Sequence, residues 1–182
     1  DYIIGQYHEW FTCLVEKNTH NLNSFAQNIS LLGFVRRTTG HADYSDLWLI
    51  IPGMALFALP YLRFSQYKNL AFRETILASV LLFVILFSTG SEASGYVIAL
   101  LGVCIWYTAA PWKRGKWAIA LMVFVFILSG MGNCDLIPKT IRHDYIQTYA
   151  LRALPISIVW LWLCYELCTK DYTPIEKVNA HE

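Results

Sequence analysis

Five apolar runs follow one another along the chain, at residues 47–64, 70–89, 95–110, 117–131 and 149–168, with polar connections between them. As helices these runs would have no polar face, and a helix without one has no way to meet water. A bilayer core of about 30 Å takes about 20 helical residues at 1.5 Å each. The pattern therefore predicts an all-α, polytopic transmembrane bundle of about five spanning helices in a lipid bilayer. Composition points the same way: of 182 residues, 56% are hydrophobic and 15% charged, against about 45–50% and about 25% in soluble domains. So few charges exclude a disordered chain, and a formal net charge of +1 excludes a basic nucleic-acid binder.

The runs divide the chain into an extracytoplasmic or interfacial segment at 1–46, the helices at 47–168 and a cytoplasmic tail at 169–182. Orientation follows from the uneven distribution of lysine and arginine. Arg63, Lys68 and Arg73 mark the first connection, and Lys113, Arg114 and Lys116 the third, while the connection between Thr89 and Gly95 holds none. With Lys170 and Lys177 in the tail, the expectation is an integral protein of a bacterial plasma membrane, N-terminal segment outside and C-terminus in the cytoplasm. Trp48, Tyr61, Trp106, Trp112, Trp117 and Tyr149 fall where interfacial rings belong. Asp1 in place of methionine, with no leader pattern, is expected for a piece of a longer chain entered partway.

On this topology three polar segments, 1–46, 90–94 and 132–148, share one face, and any site is expected among them. Glu92 sits in a short turn with Ser91 and Ser94, and Tyr96 follows at the start of the next helix. It is a hydroxyl-binding carboxylate or a solvated turn acid. Asn28, Ser30, Arg36 and Arg37 combine amide, hydroxyl and guanidinium groups in a half-apolar stretch. They suit phosphate contact or an interfacial anchor. Arg152, at the start of the fifth run, either snorkels or faces inward toward a phosphate. His41, Asp43 and Asp46 lack metal-ligand spacing, so no metal is expected, nor any other cofactor. Cys13 and Cys134 lie on the expected outer face, where an oxidising compartment could join them. No phosphate-binding glycine loop, catalytic serine signature or CxxC pair occurs.

Two stretches carry a resemblance. Asn28-Ile-Ser30-Leu-Leu-Gly-Phe-Val-Arg36-Arg37 resembles the Asn-Gln-Ser-Leu…Arg segment of the family 87 glycosyltransferases, membrane proteins of the GT-C superfamily. Phe87-Ser88-Thr-Gly-Ser91-Glu92-Ala-Ser94-Gly-Tyr96 is similar to a serine- and glutamate-bearing turn that those proteins carry between two late helices. The resemblance implies a C-terminal part of a transferase that moves a hexose, often mannose, from a polyprenyl-phosphate carrier to a glycan or glycolipid acceptor. It places Asn28, Ser30 and Arg37 along the sugar or carrier site, with Ser91 and Glu92 in the turn facing it. The family's key acid lies in an early loop, so it is expected upstream of Asp1 and the fragment is expected to be inactive alone. Ala93, Ser94 and Gly95 stand where members have aromatic and histidine residues. The competing expectation is a non-enzymatic polytopic protein: a flippase, transporter or assembly subunit.

Overall fold

The computed structural model describes residues 2–22, 24, 27–40 and 44–173. It is all-helical, with no strand among the described residues. In chain order come α1 (Tyr2–Leu22), α2 (Leu31–Thr39), α3 (Leu47–Ala58), α4 (Leu70–Leu86), α5 (Tyr96–Thr108), α6 (Lys116–Val125), α7 (Lys139–Ile141) and α8 (Ala153–Thr169). Two 3-10 turns, Leu59–Leu62 and Phe64–Lys68, join α3 to α4. Two π-helical segments, Phe126–Gly130 and Arg142–Gln147, follow α6 and α7.

The centre is a three-helix pack of α4 with α5 and α8. Ala78, Leu82 and Ile85 of α4, Ala99, Val103 and Trp106 of α5, and Ile156, Val159, Trp160 and Leu163 of α8 are buried. Their three- and four-residue spacing puts each set on one stripe of its helix. Gly102 permits the close contact of α4 and α5: a Cβ there would lie 3.2 Å from the Ala78 carbonyl oxygen. Deep in this pack the Trp160 indole N–H donates to Ser79 Oγ at 3.2 Å.

At one end of α8 the core closes on a charged pair. Arg114 Nη1 meets Glu166 Oε1 at 2.5 Å, and both side chains are buried. The Trp106 and Trp162 indoles donate to the same carboxylate at 2.8 and 2.9 Å. Arg114 also lies over the Trp106 ring, 4.3 Å from its centroid, and donates to the Trp106 and Tyr107 carbonyls. Arg63 caps the C-terminus of α8 by donating to the Leu167 and Lys170 carbonyls at 2.6 and 2.8 Å.

These contacts correct the membrane expectation. No helix among the described residues is long and apolar enough to cross a membrane. The helices α4 and α8 have 17 residues each, or about 25 Å against a hydrocarbon core of about 30 Å. The first expected span stops at Ala58, where Pro60 opens a 3-10 turn, and the fourth changes to π geometry after Val125. With 21 residues α1 is long enough, but Glu9, Glu16 and Lys17 interrupt it. The transmembrane bundle, its GT-C-like spans, the integral-membrane localisation and the two-sided orientation are therefore not supported. Arg63 and Arg114, expected as topology signals, instead cap a helix and pair with a buried acid. Extensive apolar surface stays uncovered, including Tyr2, Tyr7 and Trp10 of α1, Trp48 and Ile51 of α3, and Trp117 and Phe126 around α6.

The cysteines are free: Cys13 and Cys134 are exposed, and Cys164 is buried. Burial pushes the Cys164 thiol up to about 12, with Ser79 pulling the other way, so it is protonated at neutral pH. His41, Asp43 and Lys177 lie outside the described residues.

The Glu166 cluster predicts a specific stability pattern. Glu166→Ala leaves the buried Arg114 charge unpaired and costs about 3–5 kcal/mol, whereas Arg114→Met with Glu166→Leu recovers most of that loss. Urea unfolding midpoints measure both, and a cost for Glu166→Ala under about 1 kcal/mol contradicts the assignment.

Candidate functional site

The stretch before α2 is fixed by its own side chains. Ser30 takes an extended backbone and caps α2, its Oγ accepting from the Gly33 N–H at 3.2 Å. The same hydroxyl donates to Asn28 Oδ1 at 2.8 Å. Asn28 has φ +55, a left-handed conformation that asparagine tolerates better than most residues. Gly33 has to be glycine here, because a Cβ would collide with the Asn28 carbonyl oxygen. Ile29 and Leu32 are buried. The apolar face that suggested an interfacial anchor is thus largely covered by the protein itself.

This stretch is joined to the turn around Glu92. The Ile29 N–H donates to the Ser91 carbonyl at 2.8 Å, and the Tyr96 hydroxyl donates to the Ile29 carbonyl at 2.8 Å. Ser91 Oγ donates to the Ile85 carbonyl at 2.5 Å, which pins the turn to the end of α4. Glu92 is exposed at the edge and accepts from Gln27 Nε2 at 3.2 Å. Burial pushes the Tyr96 phenol well above its ordinary range, against the pull of Arg152 and Arg37, so it stays a hydroxyl donor.

The three arginines have different positions. Arg37 donates to the Ser24 and Gln147 carbonyls, each at 2.8 Å, and to the Gln27 carbonyl at 3.0 Å. It ties the segment before α2 to the π turn at 142–147. Arg36 faces the start of α3, where it meets Asp46 at 2.6 Å and the Tyr44 ring at 4.8 Å. That ion pair takes Asp46 as well. Arg152 is buried over the Tyr96 ring at 4.3 Å, with Nε and Nη2 donating to the Ser129 carbonyl at 3.0 and 2.8 Å. Its Nη1 has no hydrogen-bond partner. Burial lowers the guanidinium pKa of Arg37 and Arg152, with Tyr96 opposing. Both stay cationic, because the ordinary arginine value lies so far above neutrality.

These elements border an open cavity of about 610 Å³, within the range of small-ligand sites. Ile29, Ala93 and Arg152 line it together with Asn133, His143, Asp144, Ile146, Gln147, Thr148 and Ala150. Two backbone irregularities mark its wall. The π turn at Arg142–Gln147 supplies His143, Asp144 and Gln147, and Ala150 is held at φ +49 while fully buried. A left-handed alanine costs about 1–2 kcal/mol, and both features recur at functional sites.

Of the eight residues singled out in the sequence, Arg152 lines the cavity. Asn28, Ser30, Arg37, Ser91 and Tyr96 build the structure around it, Glu92 lies beside the lining residue Ala93, and Arg36 is elsewhere. Asn133, His143, Asp144, Ile146, Gln147, Thr148 and Ala150 are not among those eight. Their segment was visible as a polar loop, but nothing in its spacing signals a π turn or a left-handed alanine. Among the described residues no group of three or more His, Cys, Asp or Glu could hold a metal ion. No protein-family model, curated protein or solved structure matches the chain.

If Arg37 is the tie between the two segments, Arg37→Ala accelerates amide hydrogen exchange through residues 142–148 about 10-fold or more, consistent with the loss of charged hydrogen bonds. Arg37→Lys rescues only in part, since one ammonium cannot reproduce the planar fork. Unchanged exchange in Arg37→Ala overturns that role.

Proposed function

We propose that this chain forms the part of a hexosyltransferase that receives the phosphate of a polyprenyl-phosphate-linked hexose. The observation that carries the reading is Arg152: a buried cation on the wall of a ligand-sized cavity, with one guanidinium nitrogen unpartnered. Buried donors are almost always satisfied, and a cationic one is best satisfied by an oxyanion. The resemblance adds support, because its two stretches are hydrogen-bonded to one another beside that cavity.

In the transfer, the bond between the sugar's anomeric carbon and the carrier phosphate oxygen breaks, and a bond from that carbon to an acceptor oxygen forms. The acceptor's hydroxyl proton passes to a base, and the carrier leaves as a phosphate monoester. Negative charge grows on the departing phosphate, where a fixed cation lowers the barrier. Arg152 has that role. Arg37 and Tyr96 position the walls, and Asn28, Ser30 and Ser91 fix the backbone between them. Among the described residues no group is assigned as that base.

In the protein supplied with radiolabelled polyprenyl-phosphate mannose, Arg152→Ala lowers transfer by about 10²–10³-fold. Arg152→Lys, which keeps the charge without the fork, retains an intermediate rate. Circular dichroism and the unfolding midpoint separate loss of chemistry from loss of fold. Transfer unchanged by both substitutions rejects the reading. A second reading, an assembly subunit without transfer chemistry, draws on the uncovered apolar faces of α1 and α3. It expects the carrier lipid to bind through Arg152 with no transfer from any donor.

A further inference from the structure

The same cavity has a polar wall that a phosphate alone does not explain. His143 and Asp144 come to it from consecutive positions of the π turn, and Asn133 joins them from the preceding loop. Both His143 and Asp144 are exposed, and among the described residues neither side chain makes a hydrogen bond or ion pair. The turn that carries them is braced independently: Thr148 Oγ1 donates to the His143 carbonyl at 2.7 Å, and Arg37 holds the Gln147 carbonyl. Their polar atoms are thus presented by a fixed backbone and left open.

A carboxylate on the wall of a cavity that also holds a buried guanidinium selects against ligands that are anionic throughout. An ionised aspartate only accepts hydrogen bonds, so its natural partners are hydroxyl or amine donors. Imidazole and carboxamide groups beside it add both donors and acceptors. A cavity of about 610 Å³ holds a monosaccharide carrying a single phosphate.

Resting on the proposed phosphate site, we propose that Asp144, with His143 and Asn133, reads the hexose hydroxyls, so that the cavity recognises a sugar phosphate rather than phosphate. Asp144 is then a specificity-determining residue of the site. Its contribution is discrimination: a hydroxyl bonded to a carboxylate counts toward affinity, and a ligand lacking it leaves the carboxylate facing an anion.

The test is binding to the protein, followed by calorimetry, with mannose 1-phosphate and inorganic phosphate as probes. Wild type is expected to favour mannose 1-phosphate over inorganic phosphate by about 10-fold or more. Asp144→Asn, an isosteric change at an exposed position, is expected to remove most of that preference while inorganic phosphate binds as well or better. A preference unchanged in Asp144→Asn, or a wild type without preference, overturns the inference and leaves the phosphate site standing. If inorganic phosphate fails to bind wild type, or binds Arg152→Ala equally well, the phosphate site fails and the inference falls with it.

Discussion

The cavity depends on one guanidinium. Arg37 gathers the carbonyls of Ser24 and Gln27 from one side and that of Gln147 from the other. These two segments are far apart in sequence and belong to no common helix, so the apolar packing of α4, α5 and α8 does not by itself bring them together. Arginine suits the task because its planar fork satisfies several acceptors in fixed directions. A cation facing main-chain carbonyls also compensates, in place, for the water those carbonyls lose.

Around that tie the backbone leaves its ordinary conformations. Asn28 and Ala150 are left-handed, and a π turn occupies Arg142–Gln147. A second π segment ends at Gly130 and supplies the Ser129 carbonyl that clamps Arg152, while Ser129 Oγ donates back to the Arg152 carbonyl at 2.6 Å. A strained conformation persists where surrounding contacts over-determine it. Here the Ser129 carbonyl takes Nε and Nη2 of Arg152, and Nη1 has no hydrogen-bond partner.

Much of the helix order was legible in the sequence. The runs at 47–64, 70–89, 95–110, 117–131 and 149–168 each contain a helix, α3, α4, α5, α6 and α8. Their continuity was not legible, because an all-apolar run gives no periodic signal of where α geometry ends. Pro60 lies inside the 3-10 turn Leu59–Leu62 that ends the first run's helix, and the π segment after Val125 leaves no mark in the sequence. Arg63 and Arg114 were misread for a related reason: their partners, Leu167 and Glu166, lie on α8, beyond the reach of any local pattern. The motif residues were legible as a set but not in their roles. Arg36 and Arg37 are neighbours in sequence, and the turn of the helix sends one to Asp46 and the other to Gln147.

Everything proposed for this site requires that the cavity beside Arg152 receive an oxyanion. Crystals of the chain soaked in tungstate test it directly, since the anion scatters anomalously and its position needs no assumption about chemistry. The expected result is a peak inside the cavity within hydrogen-bond distance of the Arg152 guanidinium, lost in Arg152→Ala crystals. Peaks confined to surface lysines and arginines, with none in the cavity, would contradict it.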